Sequence, residues 1–268
     1  MTIPDFHPRL WVPWFLILLA GCGSGSGPEA PERPPASTAP TLDPALEAEA
    51  EALLRAGDLP GIATLLEPHP PESLTSRAAL LLAIALHKGV RYGAAEPLFA
   101  QALAAQPPVE GRAGGLHFHA WCLLQLGRLD EARARFEEHA VLDPEEGDTS
   151  LGLGRIALAE GRLEHARLHL RRAVDLHRGV TASGRADRRE EEGRCLAWLS
   201  DVELESGNLP DARAALEASV RAFPFSRGAW TKLHDVCLAM GDETAANSAL
   251  ERRGQLDAAL ERASLEQR

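Results

Sequence analysis

Ten histidines and four cysteines supply most of the side chains here that could hold a metal or attack a substrate. His165 and His169 stand four residues apart, a spacing that puts two imidazoles on one helix face and can hold a metal. The stretch reads His-Ala-Arg-Leu-His, without the Glu that a zinc protease uses as its base. The pair is therefore expected to be solvent-facing histidines on a helix. His117 and His119 are two apart, so they point to different sides of a helix. Cys122, Cys195 and Cys237 fall in apolar stretches of helical period. Three thiols cannot all pair internally, and buried free cysteines are expected. No Gly-rich phosphate loop, nucleophile elbow or Cys-x₂-Cys pair occurs. The sequence predicts no catalytic residue, no metal site and no cofactor, so the chain is not read as an enzyme.

The elements around these residues are helical by composition. Ala, Leu, Arg and Glu dominate, and all are good helix formers. β-Branched and aromatic residues are scarce, which argues against a large sheet. The chain has 268 residues and a formal net charge of −11. A nucleic-acid partner needs a basic face and is not expected. Nearly all the basic charge is Arg; Lys88 and Lys232 are the only lysines.

Residues 11–20 form an apolar run, WVPWFLILLA, about half the ~20 residues that a membrane-spanning helix needs. It suits the apolar region of a secretory signal. The run ends in Leu19-Ala20-Gly21-Cys22. This resembles the bacterial lipobox, in which cleavage falls before a lipid-bearing cysteine. The resemblance implies a lipoprotein signal peptide over 1–21 and lipidation at Cys22. It also implies an anchor in a membrane that faces the periplasm or another extracytoplasmic space. Gly23 supplies no retention signal of the Asp type, which points to the outer membrane. Residues 22–42 are rich in Gly, Ser and Pro, with too little apolar mass to fold, and read as a disordered tether. The remaining 43–268 form the folded domain.

Internal similarity organises that domain. Leu126-Gly127-Arg128-Leu129-Asp130-Glu131-Ala132 recurs as Glu160-Gly161-Arg162-Leu163-Glu164-His165-Ala166. It recurs again from Ser206 to Ala212 and, in weaker form, from Met240 to Ala246. The glycines are 34, 46 and 34 residues apart. The glycine fits a left-handed turn after a first helix. The alanine five residues on fits a close helix crossing. One turn further come Phe136, Leu170, Leu216 and Leu250. Pro107, Pro144 and Pro224 stop the second helices. The pattern resembles the tetratricopeptide-repeat family, whose period is 34 residues. Six units follow: 43–75, 76–112, 113–146, 147–192 with an insertion at 179–192, 193–226 and 227–260. The small residue at the eighth position of a unit is Gly154, with Ala83, Ala120 and Ser200 as substitutes and His234 as the exception. His139 stands where the family usually has Ala.

The resemblance implies an all-α fold, an α-solenoid coiled into a right-handed superhelix with a concave groove lined by the first helices. Carrying the family's groove positions onto this sequence gives Leu80, Leu81, Ile84, His117, Phe118, Trp121, Leu124, Leu151, Arg155, Leu158, Arg194, Trp198, Asp201, Thr231, Lys232 and Asp235. The central set is His117, Phe118, Trp121, Leu124, Arg155, Arg194, Trp198 and Asp201. Aromatics and Arg are enriched in binding hot spots, so a protein or peptide partner is expected there. Trp121 and Trp198 fit gap-filling between repeats equally well. The Lys/Asn clamp that some family members use for a C-terminal carboxylate is absent. In layout the chain resembles tetratricopeptide lipoproteins that help assemble outer-membrane proteins or pili. The alternative is a metal-binding or catalytic protein on a helical-repeat scaffold.

Overall fold

The computed structural model describes residues 42–266. The signal-peptide reading, Cys22 and nearly all of the tether lie outside the described residues. The described chain is all-α, with helices joined in helix–turn–helix pairs. The first pair is α1 (Pro44–Ala56) with α2 (Leu59–Leu66), and the second α3 (Ser76–Lys88) with α4 (Tyr92–Leu103). The third is α5 (Arg112–Gln125) with α6 (Leu129–Leu142), and the fourth α7 (Gly147–Ala159) with α8 (Leu163–Ala182). The last two are α9 (Arg189–Glu205) with α10 (Leu209–Ala222), and α11 (Arg227–Ala239) with α12 (Glu243–Glu266). A single 3₁₀ turn, Pro71–Ser73, links the first two pairs.

One turn geometry recurs six times. The amide after the turn residue donates to the carbonyl five positions back: Asp58 to Leu53, Arg91 to Leu86, Arg128 to Leu123, Arg162 to Ala157, Asn208 to Glu203 and Asp242 to Cys237. This bond closes a helix on a left-handed residue and satisfies a carbonyl that the helix leaves free. Gly57, Gly127, Gly161, Gly207 and Gly241 supply that residue in five turns, with φ between +69° and +76°. In the sixth it is Val90, at φ +62°, while Gly89 just before it is not left-handed. A β-branched residue is costly in that region, by ~1–2 kcal/mol. Val90 is exposed and gives little packing in return. Val90→Gly is therefore expected to stabilise the protein by about 1 kcal/mol, once the greater freedom of an unfolded glycine is deducted. A thermal melt checks this: Tm should rise by roughly 2–4 °C for a domain of this size.

Packing follows from the small residue that five of the six second helices offer the first, α2 having Ile62 at that place. Ala95, Ala132, Ala166, Ala212 and Ala246 are fully buried. The larger residue one turn on is also fully buried at Phe99, Phe136, Leu170 and Leu216. Leu250 is exposed instead, because α12 ends the described stack and no further pair covers it. The small first-helix residues meet these second helices. A methyl on Gly154 would lie 2.8 Å from Leu170 Cγ. His234, in the same role on α11, is accommodated by a 2.9 Å hydrogen bond between its Nδ1 and the Ala246 carbonyl. His139 is buried, with its Nδ1 2.7 Å from the Thr149 hydroxyl.

Each first helix also packs on the next, from α1 through α3, α5 and α7 to α9. These helices therefore share one face. The additional residues of the fourth unit are mostly helical. α8 runs to Ala182 and α9 begins at Arg189. The extension returns onto its neighbours through buried His177, which lies against Gly147, and through Arg178, whose Nε donates to Glu192 at 2.6 Å.

Candidate functional site

The face shared by the first helices carries residues at helical i, i+4 spacing that meet across helices. α5 presents His117, Trp121 and Gln125; α7 presents Asp148, Leu151 and Arg155; α9 presents Arg194 and Trp198. Phe118 and the end of α3, His87 and Lys88, close the opposite side. Together they line an open cleft of about 300 Å³.

Arg155 is the centre of this cleft. Its guanidinium carbon lies 4.6 Å from the Trp198 ring centroid and 5.4 Å from that of Trp121. A cation between two indole faces is held by both ring quadrupoles, at ~0.5–2 kcal/mol each. Lys88 Nζ sits 4.7 Å from the Phe118 ring, and Lys232 Nζ 5.6 Å from the Trp198 ring. The two lysines of the sequence thus both lie against aromatic rings of this face. Trp121 and Trp198 serve two purposes at once. Each is half-buried against the core, Trp121 edge-on to Phe136 at 5.4 Å, and each also lines the cleft.

The charges are not evenly matched. Arg194 Nη2 donates to Asp148 Oδ1 at 3.0 Å. The Arg155 guanidinium makes no hydrogen bond or ion pair among the described residues. Burial, reinforced by nearby Arg194, pushes its pKa below the usual arginine value, although the group stays charged. His87 and His117 are held neutral, both pulled down to about 4, chiefly by burial; Lys88 and His117 add to this at His87, and His139 at His117. The Nδ1 atoms of both are buried without a partner.

Of the residues singled out from sequence, His117, Phe118, Trp121, Leu151, Arg155, Arg194 and Trp198 come together here. Leu124 packs instead on the core around Phe136. Asp201 lies beside the cleft, bound by Lys232 Nζ at 2.6 and 2.7 Å. Leu80 and Leu81 are fully buried and Leu158 is buried: these positions belong to the interior, because α3 and α7 are covered on both sides. Thr231 and Lys232 are half-buried and Asp235 is exposed, on α11. His87, Lys88, Gln125 and Asp148 were not foreseen. Two of them share a repeat position with a residue already assigned to the groove: Asp148 is second in its unit, as Arg194 is, and His87 is twelfth, as Leu124 and Leu158 are. Lys88 and Gln125 follow at the helix ends, where the rarity of lysine was the available signal.

The remaining candidates for chemistry disperse. His165 is exposed, whereas His169 is half-buried against Gly154 rather than free in solvent. Buried His119 stacks on Phe99 at 5.5 Å, away from His117. Among the described residues no three His, Cys, Asp or Glu side chains converge to hold a metal ion. Cys122, Cys195 and Cys237 are free and buried, with thiol pKa values pushed up by burial, to about 11 at Cys122 and about 12 at Cys195. Among the described residues no helix is long and apolar enough to cross a membrane.

Paired helices, recurrent left-handed turns and a cleft on the first-helix face define a helical-repeat scaffold. A tetratricopeptide-repeat family model matches residues 119–180 and 199–265, and these two segments carry tetratricopeptide repeats. Solved structures share the fold. Pseudomonas aeruginosa pilF is 17% identical, with 83% of this chain and 95% of that one covered and a TM-score of 0.57. BtubC (BKLC) from P. vanneervenii is 17% identical over 82% and 93% of the two chains, with a TM-score of 0.56. A chain of the APC/C hetero-tetramer Cut9–Hcn1 is 14% identical over 79% of this chain and 39% of that one, with a TM-score of 0.60. No curated protein sequence matches the chain.

Proposed function

We propose that this protein is a lipid-anchored scaffold that binds a protein or peptide segment in the cleft between α3, α5, α7 and α9, and is not an enzyme. One observation carries the binding half: the Trp121–Arg155–Trp198 stack, which lines an open cleft instead of being covered by another element. Aromatic and Arg side chains already ordered before binding lose little entropy on contact, which is what a hot spot requires. The resemblance in fold to a chain of the Cut9–Hcn1 hetero-tetramer, an assembly of different proteins, supports the same reading. A photoreactive benzophenone amino acid in place of Gln125 should crosslink a discrete partner in intact cells. Replacing Trp121 and Arg155 together by Ala should abolish that crosslink with helicity unchanged. An undiminished crosslink would place the binding surface elsewhere.

The anchoring half rests on Leu19-Ala20-Gly21-Cys22 following the apolar run. In this reading Cys22 carries the acyl chains, and the Gly/Ser/Pro-rich stretch holds the scaffold off an envelope membrane on its extracytoplasmic side. Several acyl chains anchor a protein firmly, where a single one binds only marginally. Cys22→Ser should shift the protein from the membrane fraction to the soluble fraction; retention in the membrane would refute the anchor.

A further inference from the structure

Arg155 differs from the other arginines in a way that specifies a ligand. Ten arginines among the described residues are half-buried, and nine have a carboxylate within 4.0 Å. Representative pairs are Arg77 with Glu51, Arg112 with Glu138 and Arg167 with Glu203. Arg155 is the tenth and has none. It is also the one whose guanidinium lies over two indole rings, 5.4 Å from Trp121 and 4.6 Å from Trp198, with no hydrogen-bond partner at its N–H groups among the described residues. Withdrawing a guanidinium from water without an anion is unfavourable, and a carboxylate reaching those N–H groups would remove the penalty.

The surroundings favour the same ligand. Lys88, Arg155 and Arg194 face the cleft against one carboxylate, Asp148, in a protein whose net charge is −11. The cleft is a local cationic site on an acidic molecule, and so attracts an acidic segment. Neutral His87 and His117 add ring N–H groups and no competing charge.

We infer that Arg155 receives the side-chain carboxylate of a Glu or Asp in an extended acidic peptide, its flanking residues lying on the Trp121 and Trp198 rings. This inference rests on the cleft being a peptide site, as proposed above. The pair formed is a forked, charge-assisted hydrogen bond, which an amide does not reproduce.

The test is a random dodecapeptide array probed with the full-length protein. One copy of the array has amidated C-termini and one has free C-termini. The expected result is enrichment of Glu or Asp on both copies. In the best peptides, changing the enriched acid to Gln or Asn should weaken binding roughly 10–100-fold. Arg155→Gln should then bind the acid and amide peptides within about twofold of each other. If that variant fails to fold by circular dichroism, the acid-to-amide comparison on the parent protein decides alone. Peptides selected without acidic enrichment would overturn the carboxylate ligand and leave the peptide site standing. Enrichment confined to free C-termini would overturn the side-chain assignment. Selection of no peptide at all would remove the peptide site and this inference with it.

Discussion

Replacing Gly152 with alanine is expected to destabilise the protein by roughly 3 kcal/mol, although glycine-to-alanine in a helix interior ordinarily stabilises by about 1 kcal/mol. Gly152 lies in the middle of α7, where α6 crosses the preceding repeat onto it. A methyl at this position would overlap the ring of Phe136, whose side chain is fully buried and cannot swing aside. The ring is also held edge-on by Trp121. Steric overlap in a close-packed interior therefore exceeds the propensity gain. Gly254, in the interior of α12, provides the contrast. Nothing lies within 4 Å of a methyl added there. Gly254→Ala should gain up to about 1 kcal/mol. Urea titrations of the two variants should move in opposite directions. A second comparison localises the cause. Phe136→Leu frees space, so the double variant with Gly152→Ala should lose less than the sum of the two single losses. Equal stability of Gly152→Ala and the parent protein would mean that α6 and α7 are not in this contact.

Gly152 also shows where sequence reading reached and where it stopped. Period and turn chemistry were legible. The glycines at 127, 161, 207 and 241 recur because one backbone geometry recurs, and the buried alanines recur because helices cross at one place in each unit. Gly154 was legible for the same reason. Gly152 was not, since its requirement comes from Phe136 in the preceding unit, and contacts between units have no fixed period. Val90 was hidden by an adjacent glycine that does not occupy the left-handed position. The cleft was partly legible. The groove positions implied by the repeat resemblance put Trp121, Arg155 and Trp198 in one set. They could not show that Trp121 and Trp198 are both core and cleft residues. Nor could they show that Arg155 lacks the carboxylate its counterparts have, because ion pairing depends on which helices meet. Leu80 and Leu81 mark the opposite error: equivalent repeat positions are covered near the start of the stack, where neighbouring helices close over α3.

Acid should loosen the protein before its carboxylates titrate, and the region of the cleft should loosen first. His87 and His117 have ordinary pKa values near 6.5 when unfolded and about 4 in the folded protein. Between these values the unfolded chain binds protons that the folded chain does not. Stability from these two groups is thus fully present above pH 6.5 and lost as pH falls toward 4. Burial is the main cause at both residues, and half-buried rings keep some solvent contact, so a loss of roughly 2 kcal/mol from each is expected over that window. His119, His139, His169 and His177 are shifted in the same direction by burial and add to the slope. The carboxylates act lower. Glu51, held below its usual range by the Arg77 hydrogen bond, contributes stability that disappears only below about pH 4.5. Urea midpoints measured between pH 7 and pH 4.5 should therefore fall steadily. Replacing His87 and His117 together by Leu should flatten the curve, whatever it does to stability at pH 7. Neither imidazole has a hydrogen-bond partner at Nδ1, so leucine leaves no polar group there newly unsatisfied. An unchanged slope in that variant would assign the acid sensitivity to the other four histidines and away from the cleft.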